Sequence, residues 1–322
     1  MRAYTEASPK TMTDSKLAKP VPALKKTFVD DLKGYWKTRQ QQFERSLDQL
    51  VPSARKKPAL IHEAMRYSLF AGGKRLRPIL VLAACEALGG KPASAMPLAA
   101  AVECIHTYSL VHDDLPCMDD DDLRRGKPTS HKVYGEGMAV LTGDGLLTIA
   151  FQLAAQTKPT KRYSPADYVQ ELGNGSGSFG MIAGQVVDLQ CEGKKISPKE
   201  LKYIHECKTA ALITTSLRLG GMASNATPKQ LEALTKFGYS LGLAFQVIDD
   251  ILDITQTSEQ LGKSAGKDLA AEKATYPAIL GMKKAQAEAK RYTRQADQAL
   301  KPLGHKADRL RQIAAYMLDR KN

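Results

Sequence analysis

The sequence predicts an all-α fold, organised as a single-domain helical bundle, and three observations point there. Apolar residues recur at i, i+3, i+4 spacing from end to end, with no strand-like alternation and no repeat at a fixed period. The composition is 43% hydrophobic but only 6% aromatic, with Ala and Leu dominating the apolar set, which favours helix over strand. Between about residue 58 and the C-terminus there is no linker-like break, so the 322 residues form one large domain rather than two.

The elements follow in order. Residues 1–24, with TEASPKTMTDSK and KPVPALKK, are polar and punctuated by proline, and predict a disordered extension ahead of a helical domain over 25–322. Leu60, Ile61, Ala64, Met65, Ser68 and Leu69 form a helical stripe that stops at Gly72-Gly73. Pro78 opens the next helix, ILVLAACEAL, which ends at Gly89-Gly90. Leu98, Val102, Ile105 and Ser109 carry another up to Asp113, before Pro116. Leu201, Ile204, Lys208, Ala211, Thr215 and Leu219 share one later face, and Leu231, Leu234, Leu241, Phe245, Ile248 and Leu252 another. The glycine-rich GNGSGSFGMIAGQ, residues 173–185, reads as a loop or as a kinked helix where backbones pass closely. It lacks the Walker spacing of a phosphate loop, as does Gly262-Lys263-Ser264.

Charge and cysteine content exclude several functions. Of the net +13, residues 1–57 and 283–322 carry +7 each, leaving 58–282 at −1. Basic ends of this kind mark solvated segments rather than the basic stripe of a nucleic-acid binder, so no nucleic-acid partner is expected. Cys85, Cys104, Cys117, Cys191 and Cys207 show no CxxC spacing, which indicates neither a disulfide framework nor a zinc site and fits a reducing cytoplasm. No uncharged apolar run of about 18 residues exists, so neither a transmembrane segment nor a secretory signal is expected.

Chemistry concentrates in VHDDLPCMDDDDLRRG, where six aspartates fall between positions 113 and 122. Two carboxylates ~6 Å apart repel by about 3 kcal/mol at an effective dielectric near 20, so either water on an open loop or cations must take this charge. A second cluster stands in FQVIDDILD, where Asp249 and Asp253 extend the apolar row of Phe245 and so point inward. Inward carboxylates at the ends of two helices are costly unless cations lie between them. Hard carboxylate oxygen donors select Mg²⁺ or Mn²⁺. Lys74, Arg75 and Arg77 set three cations beside a helix N-terminus, a ready anion site. Arg124 and Arg125 follow the first cluster, Lys208 lies on a buried row, and Lys263, Lys267 and Lys273 follow the second. A diphosphate, held partly through metals and partly directly, meets both demands.

These residues resemble the trans-isoprenyl diphosphate synthase family, and within it the bacterial farnesyl diphosphate synthases. The resemblance covers roughly residues 58–282 and rests on GGKRLRP, CIHTYSLVHDDLPCMDDDDLRRGKPTSH, GQVVD, Lys208-Thr209, FQVIDDILD, and GKSAGKD followed by Lys273, all in the family's order. It implies an isoprenoid-synthase bundle around a central cavity, a homodimer, and about three Mg²⁺ ions per site. It further implies metal held by Asp113 and Asp119 on one side and Asp249 on the other, with Asp114, Asp250 and Asp253 supporting. Arg124, Lys208, Lys263 and Lys273 would contact an allylic diphosphate, while Lys74, Arg77, His106 and Arg125 hold isopentenyl diphosphate. Thr209, Gln185 and Gln246 would line the reaction space. Asp113, Asp119, Lys208, Asp249 and Lys263 would carry the ionisation, in which metals and cations stabilise the leaving diphosphate and no protein nucleophile is needed. Tyr108, five positions before the first aspartate, would floor the product pocket. With the two extra residues of DDLPCMD it gives the expectation of a farnesyl product, geranylgeranyl or geranyl being the alternatives. A terpene cyclase would not need the second anion site at Lys74 and Arg77, and a noncatalytic subunit would not need intact acidic motifs.

Overall fold

The computed structural model describes residues 26–255 and 275–318, and it is helical nearly throughout. The expectation for residues 1–24, and Lys263, Lys267 and Lys273, lie outside the described residues. In chain order the long helices are α1 (Lys26–Leu50), α2 (Ala59–Leu69), α3 (Leu76–Ala87) and α4 (Pro92–Asp113). A short hairpin, β1 (Leu123–Arg124) with β2 (Lys127–Pro128), leads into α5 (Ser130–Tyr134), α6 (Glu136–Gln156), α7 (Pro165–Ser176) and α8 (Met181–Cys191). Then come α9 (Pro198–His205), a π-helical turn (Glu206–Ala210), α10 (Ala211–Ala223) and α11 (Pro228–Thr255). The chain closes with α12 (Tyr276–Leu280), α13 (Met282–Ala299), a 3₁₀ turn (Lys301–Ala307) and α14 (Asp308–Leu318).

Local chemistry accounts for the boundaries. α7 and α9 each start with a serine capping box, Ser164 with Asp167 and Ser197 with Glu200, and each has proline at the first helical position. α3 begins two residues before Pro78, with Arg75 as its N-cap. α4 buries Leu98, Ala99, Val102 and Ile105 among α2, α3, α6 and α7. A second cluster joins α3, α10, α11 and α14 through Leu80, Leu217, Phe237 and Ile313, and a third seats α12 and α13 on α11 around Val247 and Tyr292. Gly184 bears out the close-backbone reading of the glycine-rich stretch, since a Cβ there would lie 2.2 Å from the Lys208 backbone nitrogen.

Three features depart from the sequence expectation. The face drawn through Leu201, Lys208 and Leu219 is not one helix, because the π turn inserts a residue and re-phases α10 against α9. The hairpin was not expected. Finally, α6 is long and apolar enough to cross a membrane by length and composition, despite Glu136 and Asp144, but here one face of it packs on α4. Its other face exposes Val140 and Leu141.

Candidate active site

α4 delivers the first acidic cluster. The chain after Asp113 folds back on the helix end, with the Asp119 N–H donating to the Asp113 carbonyl (2.8 Å) and the Asp121 N–H to the Asp114 carbonyl (3.2 Å). The hairpin turn then places Arg125 and Gly126 at φ 55° and 75°, the left-handed pair of a type I′ turn. That geometry sends consecutive arginines to different sites. Arg124 donates through Nε to Asp114 Oδ1 (2.9 Å) and also pairs with Asp121 at 3.1 Å, whereas Arg125 donates to the Gly72 carbonyl. Asp114 is buried, and Asp113 and Asp119 are half-buried. Burial pushes the Asp113 carboxyl up to about 6, with Lys208 and Arg124 opposing and Asp119 and Asp114 adding repulsion.

The second anion site assembles from three segments. Gly72 and Gly73 turn at φ 100° and 116°, and the bare backbone of Gly73 receives the Arg125 guanidinium, whose Cζ would sit 2.6 Å from a Cβ there. Arg77 from α3 and His106 from α4 share this corner with Arg125. Burial, and then the charges of Arg77 and Arg125, hold His106 well below its ordinary range, so its imidazole is neutral. Burial likewise brings Arg77 down to about 10, Arg125 adding to it and Glu103 opposing. Lys74 is exposed at the rim. Arg75 is not part of the cluster, contrary to the three-cation reading. At φ 51° its side chain turns inward, 3% exposed, to Glu44 (2.6 Å), Glu103 (2.8 Å) and the Leu69 carbonyl (2.8 Å). Sequence adjacency could not reveal this, because both acids come from other helices.

The π turn carries Lys208 and Thr209 to the opposite wall. Lys208 Nζ pairs with Asp188 Oδ2 at 2.6 Å, and its charge also bears on Asp113. Thr209 Oγ1 donates to Gln246 Oε1 (3.0 Å), and Gln246 Nε2 donates to Asp250 Oδ1 (3.0 Å). The core row of α11 runs Leu241, Ala244, Val247 and Asp250, so Asp250 is buried, at 3%, while Asp249 is half-buried beside Phe245 and Gln246. Asp253 is also buried. The first acidic segment therefore reaches Lys208 and the second reaches Thr209. They converge on one turn. Asp188 was not singled out from the sequence, although it stands i+3 from Gln185 and so shares its helical face.

Between these walls lies a cavity of about 420 Å³, within the range typical of small-molecule sites. Arg77, His106, Asp113, Gln185, Lys208 and Thr209 line its polar part, and Tyr108, Met118, Met181, Ile182, Val186 and Leu189 its apolar part. The donor set fits a hard divalent cation: Asp114 and Asp119 stand beside the cavity-lining Asp113, and burial holds both Asp113 and Asp114 above their ordinary range. Among the described residues, the acidic group whose ligand atoms already converge lies outside this cavity's lining. It comprises Asp120, Asp122 and His131, within 4.8 Å of one another, and there Lys132 already pairs with Asp122 at 2.7 Å.

Comparison with known proteins agrees with this geometry. Residues 58–317 match the polyprenyl synthetase family. The chain is 48% identical over 301 residues to the Arabidopsis thaliana heterodimeric geranylgeranyl pyrophosphate synthase large subunit 1, chloroplastic, covering 91% of this chain and 80% of that protein. It is 51% identical over 270 residues to the chloroplastic geranylgeranyl pyrophosphate synthase of Capsicum annuum, covering 83% and 73%. An apo crystal structure of a Zymomonas mobilis FPP/GFPP synthase superposes with a TM-score of 0.80 at 35% identity, covering 90% of this chain and 99% of that one. These relatives correct the expectation of a farnesyl diphosphate synthase, since the similar plant enzymes are geranylgeranyl pyrophosphate synthases. The farnesyl expectation rests on Tyr108 and the motif spacing alone, and the names of these relatives overturn it. By its fold, its paired acidic helix ends and its sequence, the chain belongs to the polyprenyl synthetase family, the trans-isoprenyl diphosphate synthases, and is a prenyltransferase.

Proposed function

We propose that this protein is a geranylgeranyl diphosphate synthase, extending dimethylallyl, geranyl or farnesyl diphosphate with isopentenyl diphosphate. The observation that carries the reading is the convergence of both acidic segments on Lys208-Thr209 at the mouth of a cavity with a separate cationic corner. Asp113, Asp119 and Asp249 would hold divalent metal, Mg²⁺ or Mn²⁺, with Asp114 and Asp253 supporting. Bound there, the metal supplies Lewis acidity to the allylic diphosphate.

The chain's own groups do the rest. Lys208 and Arg124 face the leaving diphosphate as it gains charge, with Lys263 and Lys273 assigned to the same task. Arg77, His106, Arg125 and Lys74 hold the second diphosphate, and the neutral His106 donates a hydrogen bond without adding charge. Gln185, Thr209 and Gln246 border the space where the alkene approaches the allylic carbon. The apolar wall from Tyr108 to Leu189 receives the growing tail and excludes water from the cation. No side chain need act as a nucleophile.

Two further readings accompany this one. The exposed apolar face of α6, with Val140 and Leu141, supports a homodimer, which light scattering would detect as twice the chain mass. The chloroplastic names of the plant relatives support a plastid rather than the cytoplasm. The functional test is to incubate the protein with Mg²⁺, isopentenyl diphosphate and each allylic diphosphate in turn, dephosphorylate, and identify the prenyl alcohol. Geranylgeraniol from all three primers is expected. Farnesol as the end product would overturn the chain-length assignment, and no prenyl product would overturn the activity.

A further inference from the structure

Asp250 stands in an acidic motif, yet its surroundings differ from those of Asp249. Its carboxylate lies on the core row of α11, 3% exposed. Oδ1 accepts the Gln246 amide (3.0 Å), and Oδ2 accepts the Tyr276 backbone N–H at the start of α12 (2.9 Å). The ring of His205, the last residue before the π turn, approaches Oδ2 at 3.9 Å and lies 5.3 Å from the Tyr276 ring. Three segments, α9, α11 and α12, thus meet on one carboxylate.

We propose that Asp250 is a positioning residue that sets the hydrogen-bond polarity of Thr209, rather than a metal ligand; the proposal rests on the prenyltransferase reading of the cavity. The argument is one of donor and acceptor inventory. Gln246 turns its NH₂ to the Asp250 carboxylate and its carbonyl oxygen to Thr209. The Gln246 oxygen then faces Thr209, whose hydroxyl proton is committed to it at 3.0 Å. With its proton used, Thr209 Oγ1 turns only lone pairs to the cavity that it lines beside Lys208. An acceptor is the appropriate group beside a carbon that gains positive charge.

An amide at position 250 breaks this logic. Asn can present NH₂ to Gln246, which then flips, offers its own NH₂ to Thr209, and frees the hydroxyl proton to point into the cavity. The local shape is unchanged. Asp249, on the neighbouring half-buried row, keeps the ligand role.

The test compares Asp250→Asn, Asp249→Asn and the unmodified protein in two assays: steady-state prenyl transfer over a Mg²⁺ titration, and calorimetric binding of inorganic pyrophosphate in the presence of Mg²⁺. Asp250→Asn is expected to lower kcat by roughly 10–100-fold, as loss of an orienting partner does. Its half-saturating Mg²⁺ and its pyrophosphate affinity should stay within about twofold of the parent. Asp249→Asn should move both. If Asp250→Asn raises the Mg²⁺ requirement or weakens pyrophosphate as Asp249→Asn does, or leaves kcat unchanged, the proposal is overturned. Should circular dichroism show Asp250→Asn misfolded, Gln246→Met breaks the same chain one link on with Asp250 intact, and the same two outcomes decide. A parent without any prenyl product refutes the functional reading instead, and pyrophosphate binding still tests Asp250.

Discussion

Replacing Asp113 with Asn is expected to stabilise the metal-free protein while removing its activity. Burial and the neighbouring carboxylates raise Asp113 from 3.8 to about 6, a shift of roughly two units at about 1.4 kcal/mol each. Because the folded pKa is the higher one, the stability from protonating Asp113 is fully present below about pH 4 and is lost as pH rises through about 6. At neutral pH the ionised carboxylate therefore costs the fold about 1–3 kcal/mol, the lower figure allowing for its half-exposure. Asn, isosteric and neutral, removes that cost. At about 2.1 cal/mol/K of unfolding entropy per residue, a kcal/mol moves the Tm of a chain this size by roughly 1–2 °C, so a rise of a few degrees is expected in EDTA at pH 8. Near pH 5 the difference should shrink, because the aspartate is then largely protonated. Adding Mg²⁺ and pyrophosphate should reverse the order, since only the aspartate gains from the cation. Thermal melts of both proteins under these conditions decide it. An Asn variant that melts no higher in EDTA at pH 8 refutes the claim that burial holds the Asp113 carboxyl above its ordinary range.

Three other outcomes follow from the same geometry. Tyr108 is 6% exposed on the cavity wall that is proposed to receive the tail, so Tyr108→Ala should lengthen the product, as radiolabelled product chromatography would reveal. Arg75→Met should destabilise the protein by about 3–5 kcal/mol in urea melts, because it strands Glu103 at 1% exposure without its partner. Arg125→Ala should raise KM for isopentenyl diphosphate at least tenfold, with the allylic KM nearly unchanged, which steady-state kinetics with each substrate varied would show.

The helices were legible because burial writes a 3.6-residue period into Ile61–Leu69 and Leu98–Ser109, and the acidic ends because carboxylates interrupt that period where it should stay apolar. The rest depended on tertiary partners. Arg75 reads as one cation among three until Glu44 and Glu103 arrive from α1 and α4. Lys208 reads as part of a continuous row, since a single π-turn insertion hardly alters i, i+4 spacing. Asp188 stands within GQVVD, but its partner is a lysine 20 residues on, across a helix packing that the bare backbone of Gly184 permits. The Arg125-Gly126 turn is too short for strand alternation to betray it, yet it separates two arginines that sequence alone would send to one place.

The central claim is that Asp113 and Asp119 on one side and Asp249 on the other grip one diphosphate through divalent metal beside Lys208-Thr209. Anomalous diffraction from crystals grown with Mn²⁺ and pyrophosphate tests it directly. The account predicts manganese peaks on both carboxylate sets, bridged by a single pyrophosphate in contact with Lys208. Manganese confined to one set, or bound only at Asp120, Asp122 and His131, would contradict it.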